Sequence, residues 1–189
     1  MAMKKEIRLL GIDDAPFDKF SKKRDTFVVV TLFRGGSFMD GVLTTKVRVD
    51  GYDATRKIVK VVKMTKFRPQ VKCILLDGIA LGGFNIIDIQ KLHNNTGIPV
   101  IVVMRRLPNL ETIKKTLLKL GMKKKIHLIE KAGPIYPAGR VYVQVAGISP
   151  DAAREVISIS STHSFIPEPI RVAHLIGQGL VFGESKGRA

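Results

Sequence analysis

The chain has 189 residues, 45% of them hydrophobic, which suits one domain with a buried core. No run approaches the roughly 18 continuous apolar residues of a membrane span. The opening MAMKKEIRLLGID lacks an apolar signal core, and a single cysteine, Cys73, rules out an internal disulfide framework and fits a reducing cytoplasm. The 32 Lys and Arg residues against 16 Asp and Glu give a net charge of +16, a field that concentrates polyanions, with nucleic acid as the expected partner. A lysine-rich thermostable surface is the other source of such charge, but it usually balances Lys with Glu.

Residues 7–13 read as a short apolar strand. Residues 26–33 are β-branched and aromatic, and residues 38–50 alternate from Val42 onward, with Gly35 and Gly36 marking the turn between them. These three segments make an antiparallel meander. Residues 54–66 place Ile58, Val61 and Val62 at helical spacing opposite a lysine-rich side. Residues 71–76 form a buried strand stopping at Asp77-Gly78, residues 85–95 a helix, and residues 98–104 another buried strand. The next helix has Asn109 as N-cap, Glu111 in its first turn, an apolar stripe of Leu110, Ile113, Leu117 and Leu120, and Gly121 as its stop.

Residues 125–130 and 140–146 read as two strands around the turn-rich AGPIYPAG. Ser149-Pro150-Asp151 opens a helix, and Pro169 opens the last one. Basic residues recur at 22–24, 57–66, 114–125 and 171–188, and no repeat or linker interrupts the chain, so residues 1–189 are expected to form one domain. The expected class is α/β: a mixed sheet with antiparallel first three strands and flanking helices, the order of the ribonuclease H-like fold.

Three acidic motifs, GIDDAPF, VRVDGYD and CILLDGIALGG, put Asp13, Asp50 and Asp77 at the ends of apolar or alternating runs. If those runs share a sheet, the carboxylates converge, and in so basic a chain they suit Mg²⁺ or Mn²⁺ facing a phosphodiester. Asp14 is the alternative ligand beside Asp13, and Asp50-Gly51 is equally an ordinary turn dipeptide. Asp77 stands at a strand's carboxyl end, where open α/β sheets place their sites. Gly82 and Gly83 are candidates for an anion nest, without the Lys-Ser/Thr ending of a nucleotide-binding loop. Arg171, His174 and Gln178 share one helical face. His174 is a candidate for proton transfer, with a structural helix histidine as the competing reading, and Arg105 and Arg171 are candidates for phosphate contacts. Residues 123–125, three lysines, read as a solvated helix end.

Over nearly its whole length the chain resembles a largely archaeal family, domain of unknown function ninety-nine. The strings that carry this are GIDDAPF, LFRGGSFMDGVL, VDGYDAT, LLDGIALGGFNIIDI, GIPVIVVMRRLP, PEPIRVAHLIGQG and GESKGRA. The order of motifs is more distantly similar to endonuclease V, a metal-dependent nuclease of ribonuclease H-like fold that acts at inosine in DNA or RNA. That resemblance implies acidic site residues at Asp13, Asp50 (Asp in place of Glu) and Asp77, a basic residue at Arg105 where lysine is usual, and a His174 set among Pro167, Glu168, Pro169, Arg171 and Ala173. Two departures stand out. The tyrosine-bearing wedge has no counterpart, since GGSFMDGVL occupies that stretch, and the His that follows Asp-Gly is missing, since Ile79 stands there. The expected function is a Mg²⁺- or Mn²⁺-dependent, nuclease-like phosphodiesterase acting on DNA or RNA. The alternative is a nucleic-acid-binding protein that keeps the fold without catalysis.

Overall fold

The computed structural model describes residues 6–18 and 24–186; the basic residues Lys22, Lys23 and Arg188 lie outside them. Strands β1 (Arg8–Asp14), β2 (Asp25–Arg34) and β3 (Phe38–Arg48) form the antiparallel meander expected from their β-branched, alternating sequences. Helix α1 (Ala54–Met64) leads to β4 (Val71–Asp77), which pairs parallel with β1. A small hairpin, β5 (Ala80–Leu81) and β6 (Asn85–Ile86), precedes α2 (Ile89–Thr96) and β7 (Val100–Met104). The chain continues through α3 (Leu110–Lys119), α4 (Ile126–Lys131), β8 (Tyr136–Ala138) and β9 (Val141–Ala146). It ends in α5 (Pro150–Ser160) and α6 (Glu168–Phe182). The main sheet has the order β3-β2-β1-β4-β7-β9-β8.

Two apolar layers sandwich this sheet. Leu10, Ile12, Ile74 and Leu76 pack toward Ile58 and Val62 of α1 and Leu92 of α2. Their strand neighbours Leu9, Cys73 and Leu75 face the other way, onto Ala153 and Val156 of α5 and Ile170 of α6. Successive side chains of a strand point to opposite faces, so the middles of β1 and β4, covered on both, are apolar, and their charged residues stand toward the strand ends. Cys73 is a buried free thiol whose pKa is pushed up by that burial. Among the described residues, no helix is long and apolar enough to cross a membrane.

Two segments differ from the sequence-based expectation. The helix expected over residues 85–95 starts at Ile89, because Asn85 is fully buried and its side chain is committed elsewhere. Its Oδ1 accepts from the Ala54 amide at 3.1 Å, and its Nδ2 donates to Arg48 O at 2.9 Å and Asp53 Oδ1 at 2.7 Å. Asp88 is the N-cap instead, accepting from the Lys91 amide. Residues 125–130, expected as a strand, wind into α4, and the strand that forms a hairpin with β9 is β8, inside the segment expected to be only turn. Pro137 is tolerated in β8 because that strand is the sheet's edge, where a missing N–H breaks no ladder.

Helix α6 rests directly on strand backbone. A Cβ on Gly11 would overlap the carbonyl group of Pro169, and one on Gly177 would stand 3.0 Å from Ala15 Cα. Thr31 Oγ1 donates to Pro169 O at 2.7 Å, fastening the first turn of α6 to β2. Gly11→Ala should therefore cost about 2 kcal/mol or more of stability, the penalty of overpacking against atoms that cannot move alone. Urea denaturation measures it; a change within about 0.5 kcal/mol, the range of neutral surface substitutions, would show the contact to be looser than described.

Candidate metal centre

The parallel register Ile12↔Leu76 places the next residues, Asp13 and Asp77, side by side at the carboxyl ends of β1 and β4. The close seating of α6 then lays His174 across them. One ligand atom from each of Asp13, Asp77 and His174 can be chosen so that all lie within 4.8 Å of one another. His174 Nδ1 is 2.8 Å from Asp13 Oδ2, and the other oxygen of Asp13 accepts from the Asp14 amide at 2.8 Å. Gln178 Nε2 lies 2.9 Å from His174 Nε2, while the Lys186 amide donates to Gln178 Oε1 at 2.8 Å. With its oxygen so engaged, Gln178 turns its NH₂ to the ring, so Nε2 accepts and the neutral imidazole carries its proton on Nδ1, donating to Asp13. Ligation of a cation through Nδ1 would require that proton to leave.

The carboxylates are crowded. Burial, then the charges of Asp13 and Asp77, raise the pKa of Asp14 to about 7, although a hydrogen bond from the Gly82 backbone works the other way. Burial and Asp13 raise Asp77 to about 6, opposed by Arg105 and His174. Arg105 Nη2 stands 3.7 Å from Asp77 Oδ2, a loose pair that leaves the guanidinium partly exposed. The hydrogen bond to Asp13 raises the pKa of His174, against the effect of its partial burial.

Asp50 is not one of the three clustered groups. It sits in the left-handed region at φ 54°, its amide donates to Gly82 O at 2.8 Å, and its Oδ1 accepts from the Phe84 amide at 2.7 Å. It braces the loop before β6. Gly82 and Gly83, at φ 59° and 78°, supply the left-handed turn of that loop. The Gly82 amide faces Asp14 and the Phe84 amide faces Asp50, so the turn cradles the protein's own carboxylates. Arg171 is engaged by Glu168, with both Nε and Nη2 donating at 2.7–3.0 Å.

One residue of this network departs from the sequence-based expectation. Lys125, expected on a solvated helix end, is fully buried. Its Nζ donates to Asp50 O at 2.6 Å and Phe84 O at 2.7 Å, and lies 4.4 Å from the centre of the Tyr52 ring. Burial lowers its pKa. Three successive lysines carry no signal that tells the buried one from its neighbours.

Residues 5–181 match the family described as Endonuclease dU. A UPF0215 protein of Methanothermobacter thermautotrophicus is 49% identical to the chain, over 99% of this chain and 94% of that protein. The crystal structure of a protein from Archaeoglobus fulgidus is similar with a TM-score of 0.85 at 40% identity, covering 92% of this chain and 98% of that one. Endonuclease V of Ciona intestinalis, solved with a 24mer DNA containing an inosine followed by a ribo-adenosine, is similar with a TM-score of 0.59 at 17% identity, covering 91% and 84%. The fold is ribonuclease H-like, as in endonuclease V.

The raised carboxyl pKa values predict how metal-free stability depends on pH. Asp14 and Asp77 titrate in the folded state at about 7 and about 6, above the ordinary 3.8. The folded protein thus holds protons that the unfolded chain has released, and stability falls as pH rises from about 4 to 7. The raised pKa of His174 acts in the same direction: its contribution is complete below 6.5 and lost as pH climbs through the folded value. In EDTA, Asp14→Asn should melt above wild type at pH 7.5, by roughly 2–4 °C per kcal/mol of relieved strain, with the gap closing toward pH 5. Thermal unfolding across that range checks it, and a variant less stable than wild type at pH 7.5 would refute it.

Proposed function

The chain belongs to the Endonuclease dU family, and we propose that it is a divalent-metal-dependent endonuclease that hydrolyses a phosphodiester of nucleic acid. The observation that carries this reading is the meeting of Asp13, Asp77 and His174 within 4.8 Å, at the end of the sheet. The donor set fits Mg²⁺ or Mn²⁺: carboxylate oxygens are the ligands such hard cations prefer, and burial together with crowding raises the proton affinity of Asp77 and of neighbouring Asp14. Asp13 and Asp77 would hold the ion. When bound there, a divalent cation supplies Lewis acidity toward a phosphoryl oxygen and makes water more acidic.

The chain's own groups divide the remaining work. His174 orients Asp13 through Nδ1–H, and Gln178 keeps the imidazole in that tautomer. Arg105, beside Asp77 and partly exposed, offers N–H donors to a phosphate oxygen and to charge that develops on it. Asp14, whose pKa burial and its acidic neighbours raise to about 7 in the metal-free protein, can accept or return a proton at its carboxyl. Asp50 and Lys125 act at one remove, by fixing the Gly82–Phe84 turn against which Asp14 rests. The net charge of +16 draws the polyanion in.

The family's description points to deoxyuridine, and the similar endonuclease V structure holds DNA with an inosine. We therefore place a deaminated base in DNA first among substrates, with uracil ahead of hypoxanthine. The test is cleavage of oligonucleotides carrying one deoxyuridine, one deoxyinosine or neither, with Mn²⁺ or Mg²⁺. Metal-dependent cleavage of the deoxyuridine strand is expected. Asp77→Asn should reduce it roughly 100-fold or more, and Gln178→Ala about 10-fold, the usual scale for a group that orients a ligand. Cleavage indifferent to Asp77→Asn, or calorimetry showing no Mn²⁺ binding by wild type, would overturn the proposal.

A further inference from the structure

Helix α6 covers β1 and β2 on one face of the sheet but leaves β3 open there: Val42, Thr44, Lys46 and Arg48 are exposed. Phe27 of β2, cross-strand partner of Lys46, keeps 38% of its surface in solvent, and Lys46 Nζ sits 4.5 Å from its ring centre. Phe27 shares this face with Asp13, because Asp13 pairs with Val29, two residues along β2. At the same end of β3 a groove of ≈ 620 Å³ is lined by Lys46, Arg48, Arg56 and Lys57 around Tyr52. Tyr52 is 65% exposed although its ring also meets the buried Lys125. Two carboxylates line the groove as well. Asp53 is turned inward, accepting from the Arg48 amide and Asn85 Nδ2, which leaves Asp25 as the opposing surface charge. Arg48 pairs with Asp25, two strand spacings, or about 10 Å, across the sheet from the line of β1 and three residues, about another 10 Å, beyond the level of Asp14.

We propose that this surface is a track for a single-stranded segment of nucleic acid leading to the carboxylate centre. Phe27 and Tyr52 stack its bases, and Lys46, Arg48, Arg56 and Lys57 contact its phosphates. The assignment rests on the nuclease reading above. Exposed rings interleaved with cations suit unpaired bases, whose faces are free, whereas a duplex keeps its bases stacked on one another.

Binding is measured without turnover, in EDTA and in an Asp77→Asn background, using a fluorescent oligothymidine of about 12 nucleotides and a duplex of equal length. Replacing Lys46, Arg48 and Arg56 by Ala should weaken single-strand binding at least about 10-fold. It should also reduce the slope of log affinity on log salt by about 2, near 0.7 per lost contact. A control with equal charge loss, Lys115, Lys119 and Lys123→Ala on α3 and beyond, should change little. Tyr52→Ala and Phe27→Leu, the latter chosen to keep the packing, should each weaken single-strand binding roughly 5-fold or more and leave duplex binding unchanged. Equal losses in both triple variants, or aromatic variants that bind the single strand like the parent, overturn the track. If wild type cuts no substrate yet these binding effects hold, the nuclease reading fails and the track stands.

Discussion

Strands that run parallel and in register present their carboxyl ends to the same edge of a sheet, and in this chain β1 and β4 each bring an aspartate there. The apolar layers that hold the two strands together also keep Asp13 and Asp77 from separating. Mutual repulsion in a half-buried setting is the result, and much of the local structure answers it. Arg105 approaches Asp77, His174 donates to Asp13, and the Gly82 amide turns to Asp14. Natural proteins often sacrifice stability where function needs like charges held close, and the proton affinities of Asp14 and Asp77, raised by burial and by that repulsion, are the physical trace of the compromise.

Two braces keep the arrangement in place. The first is steric: bare backbone at Gly11 and Gly177 lets α6 come close enough for His174 to reach a strand residue. The second is polar and ties four distant segments. Asn85 links the end of β3 to the start of α1, Asp50 links that corner to the loop before β6, and Lys125 closes the bundle from just before α4. A buried ammonium is expensive to desolvate. Two carbonyl oxygens and the face of Tyr52 offset that cost, so the cation acts as a clamp.

Much of this was legible in the sequence. The meander showed in β-branched alternation, and the helix after Asn109 in its cap, with Asn109 Oδ1 accepting from the Thr112 amide, and in Leu110, Ile113 and Leu117 of its stripe, whereas Leu120, just past the helix end, is exposed. The proximity of Asp13 and Asp77 followed from two apolar runs each ending in an acid. What stayed hidden depends on partners far along the chain. Asp50 reads alike whether it faces an ion or the Phe84 amide, 34 residues away. The segment IHLIE is short enough for its apolar residues to fit a strand or a helix, and only the seating of Ile129 beside Leu117 separates the two. Tyr136–Ala138 lies inside the turn-rich AGPIYPAG, whose glycines and prolines read as turn, and its proline fits a strand only at an edge position.

The grip of Gln178 reaches beyond the centre itself. Its amide is oriented by a peptide N–H at Lys186, eight residues downstream, so the segment after α6 bears on whether the outer imidazole nitrogen stays an acceptor, while Asp13 holds the proton on the inner one. A half-turn of that amide would offer an oxygen to the ring and welcome a second proton. A chain clipped just past Phe182 would thus carry a histidine of altered acid strength, with every atom of the carboxylate group still in position.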